Sequence, residues 1–186
     1  MVNIDIKKQL TKFFIYITGL PGSGKLSTAI VLSSMINAVI VSGLEYNQTS
    51  KEARDRIYNT THVMFQAIEA YPIDSKNYIF VDELMKNNDY NIRIYNLVVE
   101  LSKKMSTKVL PILQERTISK KQRKNRKVTN INSIKFREED LFVPQNAIEV
   151  ENSNMSIKEV AEEIVSQMYK LGQINSVYAI GNDFIY

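Results

Sequence analysis

The chain contains no cysteine, and His62 is its only histidine. Without cysteine there is no disulfide, no thiolate metal site and no cysteine nucleophile. A single histidine is too little for a histidine-based metal site or for a Ser-His-Asp triad. Any catalysis is therefore left to carboxylates, lysines, arginines, backbone amides and a metal bound through oxygen. Long hydrophobic runs are missing as well. The apolar stretches are strand-length, well short of the ~20 residues that a membrane span needs. Met1 to Lys12 is broken by Asp5, Lys7, Lys8 and Lys12, so no apolar signal core forms there. A cytoplasmic protein without a membrane partner is expected.

What is present is ordinary for a globular chain. The 186 residues, 44% hydrophobic and 24% charged, suit one domain spanning 1–186 with a single core. The formal charge of +4 is mild, and where it sits matters more than its total. Short apolar runs alternate with amphipathic ones. Phe13–Thr18 is nearly continuous in β-branched and aromatic residues and ends in a glycine-rich turn, the pattern of a strand buried on both faces. Further strands are expected at Ala38–Val41, Tyr78–Val81, Thr107–Leu113 and Ala147–Val150, the fourth being interrupted by Pro111. Helices are expected over Ser27–Ile36, Lys51–Ala70, Asp89–Met105 and Ser156–Leu171. The last of these opens with Ser156 and Glu159 at capping-box spacing. This alternation predicts an α/β doubly wound sheet, in which ligands bind beyond the carboxyl ends of the strands. Those ends are Gly19–Ser23, Ser42–Tyr46, Asp82–Glu83 and Gln114–Arg116. The tail, 172–186, is open to a loop with a short strand or to a docking segment.

The first of those ends carries the chemistry. Gly19, Leu20, Pro21, Gly22, Ser23, Gly24 and Lys25 match the G-x-x-x-x-G-K core of a P-loop, placed between a strand and a helix. Glycines let the backbone wrap a phosphate with its N–H groups inward, and a helix N-terminus adds positive potential. Lys25 then reaches the β- and γ-phosphates of a nucleoside triphosphate, read here as ATP with Mg²⁺. The usual loop has Ser or Thr directly after the lysine, as a Mg²⁺ ligand. That position is Leu26, with Ser27 and Thr28 following, so the hydroxyl is displaced by one residue. Magnesium keeps several waters readily, so the displacement is tolerable.

Asp82 and Glu83 close the third strand. Asp82 is the candidate metal residue, a carboxylate that would order Mg²⁺ or its waters, and either acid could take an acceptor's proton. The plainer reading is an acidic pair facing solvent. Arg116, Lys120, Lys121, Arg123, Lys124, Arg126 and Lys127 crowd the segment after the fourth strand. On a helix Arg123 and Arg126 would share a face. A solvated basic face or a nucleic-acid patch is the alternative, although no aromatic interleaves the run to stack on bases.

With these residues in view, the chain resembles the nucleoside-monophosphate-kinase-like branch of P-loop proteins. That branch includes adenylate, shikimate, gluconate and adenylylsulfate kinases and the zeta-toxin-like kinases, and the chain resembles most nearly small AAA-type ATPase or shikimate-kinase-like proteins. The resemblance rests on Gly19–Ser27, Asn77–Leu84, the basic Arg116–Arg126 segment and Ile148–Ile164. It implies a three-layer fold with a five-stranded parallel sheet of order 2-3-1-4-5, a mobile lid at about 116–135 and an acceptor region at about 42–56. It also implies that Ser27 meets the α-phosphate, as the Thr of adenylate kinases does, and that Arg123 and Arg126 close over ATP. Glu45, Tyr46, Asn47, Arg54 and Arg56 are the acceptor-region candidates, of which Arg54 and Arg56 cannot both face one ligand. His62, inside the second helix, reads as a packed or surface residue rather than a base.

The expected function is therefore a kinase moving the γ-phosphoryl group of Mg-ATP to a small-molecule or nucleotide acceptor, with Lys25, Asp82, Arg123 and Arg126 as catalytic residues. A nucleotide-binding regulatory module or simple NTPase, and a polynucleotide kinase, are the alternatives. The adenine preference rests on the resemblance alone. Acceptor and oligomeric state are not legible.

Overall fold

The computed structural model of the protein describes residues 13–42, 51–73, 77–115 and 138–170. Five parallel strands form one sheet: β1 (Phe13–Thr18), β2 (Ala38–Ser42), β3 (Asn77–Val81), β4 (Lys108–Glu115) and β5 (Ile148–Glu151). Their order is β2-β3-β1-β4-β5, as the resemblance implies. Four α-helices connect or follow them: α1 (Lys25–Met35), α2 (Lys51–Ala70), α3 (Asp89–Lys104) and α4 (Ile157–Lys170). None of the described helices is long and apolar enough to cross a membrane.

The central strand explains the layers. All six residues of β1 are buried, and successive side chains of a strand point to opposite faces. Phe13, Ile15 and Ile17 join Ile79, Val81 and Ile112 in a core completed by Leu32 of α1 and Val160, Ile164 and Met168 of α4. Phe14 and Tyr16 join Tyr78 and Phe80 on the other face, closed by Phe65 of α2 and by Ile94, Leu97, Val98 and Leu101 of α3. Across β1 and β3 the rings pair in register. Phe14 stacks on Tyr78 at 5.2 Å and Tyr16 on Phe80 at 5.3 Å. Such pairs add to the area term about 0.5–1.5 kcal/mol each.

Several boundaries differ from the sequence reading, each for a local reason. Helix α1 starts at Lys25 rather than Ser27, because Gly24 (φ 95°) turns the chain directly into the helix. Its inner face is Thr28, Ala29 and Leu32, while Ile30 is 55% exposed. Strand β4 runs on to Glu115 through Pro111. Strand β5 joins it only from Ile112 onward. At Pro111 that flank of β4 is therefore still an edge, where a missing N–H costs least. The cap of α3 is Asn88, whose side chain accepts from the Tyr90 N–H. The box at α4 forms as expected, with Ser156 N–H donating to Glu159 and Glu159 N–H to Ser156 Oγ.

The segment before β5 is tied to the loop after β3. A short 3-10 turn at Glu138–Asp140 leads into Leu141, which bridges Met85 in antiparallel fashion. Lys86 N–H donates to Asp140 and Phe142 N–H to Leu84, tying this segment to the loop after β3. Met85, Leu113 and Leu141 bury one another, with Leu20 of the glycine-rich loop packed against them.

Ile94, fully buried on α3, should cost about 2–5 kcal/mol when truncated to alanine. Ile30→Ala, on the exposed side of α1, should stay within about 0.5 kcal/mol. Urea titrations of the two variants would test this, the midpoint moving for the first alone while the slope stays constant.

Candidate phosphate-binding site

Strand β1 delivers the glycine-rich loop into a confined space. Gly19 has φ 149°, and a β-carbon there would lie 2.2 Å from the Gln114 carbonyl oxygen of β4. Only glycine fits. Within the loop the Ser23 N–H donates to the Leu20 carbonyl at 3.1 Å, closing the turn. Gly24 then enters α1 with no side-chain cap on its first N–H groups. Uncapped amides at a helix start are a ready seat for an anion.

Lys25, the first residue of α1, is 8% exposed. Its ammonium donates to the Gly19 carbonyl at 2.8 Å and the Leu20 carbonyl at 3.0 Å. The Glu83 carboxylate stands 3.6 Å away. Burial pushes the Lys25 pKa down, opposed by the charges of Glu83 and Asp82. The lysine is thus folded over its own loop, held by carbonyls and a half-exposed acid.

Asp82 follows β3 directly and is 8% exposed. Its Oδ1 accepts the Glu83 N–H at 2.7 Å and its Oδ2 the Tyr16 hydroxyl at 3.3 Å, while the Asn91 amide lies 3.3–3.4 Å from both. Burial pushes this carboxyl from 3.8 up to about 6. The donors Glu83 N–H, Asn91 and Tyr16 pull it back, and the Glu83 charge adds to the rise. The Thr18 hydroxyl accepts the Leu84 N–H at 2.9 Å and so sets the turn that presents both acids.

The far side of the loop is held by residues that sequence reasoning did not single out. Gln114 Nε2 and Asn152 Nδ2 each donate to the Ser23 carbonyl at 2.8 Å. The Ser23, Thr28, Gln114 and Asn152 side-chain oxygens are buried without a hydrogen-bond partner among the described residues. Gln114 stood at a strand end where ligands are expected, the one signal that pointed to it. Tyr16, Asn91 and Asn152 carried none, since nothing local distinguishes them from core or cap residues.

The structure therefore brings Gly19–Ser27, Asp82 and Glu83 together at the carboxyl ends of β1 and β3. Leu26 is 47% exposed on α1, and Ser27 beside it is exposed also. Arg54 and Arg56 are exposed on α2, as is His62, whose ring lies parallel to Tyr58 at 6.4 Å. Arg123 and Arg126, with the rest of the basic segment, and Glu45, Tyr46 and Asn47 lie outside the described residues.

The cradle suits a triphosphate: glycine where a β-carbon would clash, uncapped helix amides and a buried lysine. For magnesium the fit is looser. No group of three or more metal-binding side chains occurs among the described residues, so an ion here would rest on phosphates, waters and one or two carboxylates.

Neither protein-family models nor the curated proteins match this sequence. Solved structures do. The chain is similar to a sugar kinase from Janibacter sp. (11% identity, 86% of this chain and 95% of that one, TM-score 0.56). It is similar to the adenylylsulfate (APS) kinase of Mycobacterium tuberculosis in complex with AMPPNP and APS (15%, 86% and 98%, TM-score 0.55). A gluconokinase from Sinorhizobium meliloti matches at 11% identity over 88% of this chain and 95% of that one, TM-score 0.53. The chain has the fold of the P-loop kinases. At these identities the likeness speaks for the architecture, and the site must be argued from its own residues.

The Asp82 carboxyl yields a stability test. Its folded pKa lies above the unfolded one, so the native state holds the proton more tightly. Stability from this group falls as pH rises from about 4 to about 6.5 and is flat beyond. Asp82→Asn should gain on the order of 2 kcal/mol over the parent near pH 8 and nothing near pH 4. Denaturant melts at both pH values would check it.

Gly19→Ala should destabilise by more than about 2 kcal/mol, from the positive φ and the clash with the Gln114 carbonyl together. A thermal melt reads this, with Gly22→Ala as the comparison of similar chemistry.

Proposed function

We propose that the protein is an ATP-dependent phosphotransferase that moves the γ-phosphoryl group of Mg-ATP to a hydroxyl- or phosphate-bearing small molecule or nucleotide. The observation that carries this reading is the loop itself. A buried lysine at an uncapped helix start stands 3.6 Å from the Glu83 carboxylate and feels the charge of Asp82, on a fold shared with kinases of sugars and of adenylylsulfate.

In this reading Lys25 exchanges its carbonyl partners for the β- and γ-phosphate oxygens, and the loop amides and Ser27 hold the remaining phosphates. Bound Mg²⁺ would supply charge neutralisation on the transferring group. Both Asp82 oxygens already accept protein donors, which suits this acid to holding the ion's waters rather than the ion. Glu83, at 43% side-chain exposure, has the freedom to approach more directly. During transfer the acceptor oxygen forms its bond to the γ-phosphorus as the bond to the β,γ-bridging oxygen breaks. ADP leaves with that electron pair, and the acceptor proton passes to a carboxylate. Arg123 and Arg126 are assigned to the lid, and the acceptor is assigned to the region at about 42–56. Transfer of this kind depends on positioning and charge neutralisation more than on covalent help.

The test is Mg-ATP consumption against a panel of nucleoside monophosphates, shikimate, gluconate, adenylylsulfate and a 5′-hydroxyl oligonucleotide. Acceptor-dependent ADP formation is expected, with Lys25→Ala losing turnover and at least about tenfold in ATP affinity. Unchanged binding and turnover in that variant would overturn the assignment. Leu26 favours one other reading, a nucleotide-binding module, because the hydroxyl that normally reaches Mg²⁺ is absent and its replacement is exposed. That reading expects ATP binding with no acceptor-dependent turnover across the panel.

A further inference from the structure

The Ser23 carbonyl is the only acceptor among the described residues that two side-chain amides from different strand ends are shown to share. Gln114 comes from the carboxyl end of β4 and Asn152 from the residue after β5. Each is buried, at 1% and 8% exposure. Gln114 meets the loop twice, since its own main-chain carbonyl is also the atom that closes over Gly19. Its Nε2 further lies 3.4 Å from where a β-carbon of Gly24 would be. Both ends of the loop are thus set against one residue of β4.

A planar trans peptide carries its C=O and the following N–H on opposite edges. Whatever fixes the Ser23 carbonyl therefore fixes the Gly24 N–H, facing away from β4 and β5. We infer that Gln114 and Asn152 are positioning residues of the phosphate cradle, which hold the Ser23–Gly24 peptide so that its N–H is aimed at a bound phosphate before the nucleotide arrives. The inference rests on the phosphate-binding reading of the loop. Neither residue touches the nucleotide. They act through the orientation of one peptide, and prepaying that orientation favours binding. Because two donors share one acceptor, either can stand in for the other, and their losses should not be independent.

The experiment is calorimetric titration of Mg-ATP into the full chain and into Gln114→Leu, Asn152→Leu and the double variant, each with its thermal midpoint. Each single variant should lose about 2- to 10-fold in affinity, the worth of one ordinary hydrogen bond. The double variant should lose more than the product of the two. Gln114→Glu adds a second readout. A carboxyl donates to the Ser23 carbonyl only when protonated, so its affinity relative to the parent should recover as pH falls from about 8 to about 5.5. If the double variant binds within about twofold of the parent, the inference fails, whatever happens to its melting point. An affinity ratio of Gln114→Glu to the parent that is flat in pH also counts against it. A parent chain that binds no Mg-ATP overturns the phosphate-binding reading itself, which is a separate outcome.

Discussion

At the end of β1 the main chain passes so close to the Gln114 carbonyl of β4 that no β-carbon fits between them. That contact follows from the sheet, because β1 and β4 pair in register through Thr18 and Leu113, leaving Gln114 as the next residue across from Gly19. The loop must therefore begin with glycine, turn sharply, and enter α1 without a capping side chain. Lys25 falls at the helix start as a consequence, and burial of its ammonium follows from the same confinement. Much of what gives the site its chemistry descends from this one close approach.

The two acids at the end of β3 show how neighbours in sequence acquire different properties. Asp82 continues the strand and sits beneath α3, where Tyr16 and Asn91 surround it with neutral donors. Glu83 takes the next position and turns outward toward Lys25. Neutral donors stabilise a carboxylate less than a full positive charge does, so desolvation prevails at Asp82 and its proton is held into the range near neutrality. Glu83 keeps solvent and a cation for company. One acid is withdrawn from solvent, the other open to it.

Much of the fold was legible in the sequence because the strands are nearly continuous apolar runs and the helices carry turn signals at their ends. Phe13–Thr18 and the box at Ser156–Glu159 were readable on local grounds, and so was the loop from its glycine spacing. The amides of Gln114 and Asn152 were not, because their meaning lies in a carbonyl far away in sequence. Tyr16 looked like any core aromatic, and only the placing of Asp82 at the end of the neighbouring β3 gives its hydroxyl a task. The assignments to Arg123, Arg126, Glu45, Tyr46 and Asn47 rest on resemblance and spacing, and they fall outside the described residues.

The clasp on Ser23 spans 91 residues to Gln114 and 129 to Asn152. Synthesis proceeds from the other end. The glycine-rich loop and α1 are made early, yet they lack the partners that orient them until β4 and then β5 have been added. Contacts of such separation form late and slowly, since the chain between them must be ordered first. During translation the early segment carries the glycine and lysine spacing of a phosphate loop in its sequence but has no rigid seat to offer. Both partners of the Ser23 carbonyl are in place only after β5 has been made, so a truncated chain ending before Asn152 would keep the motif and lose half of the clasp.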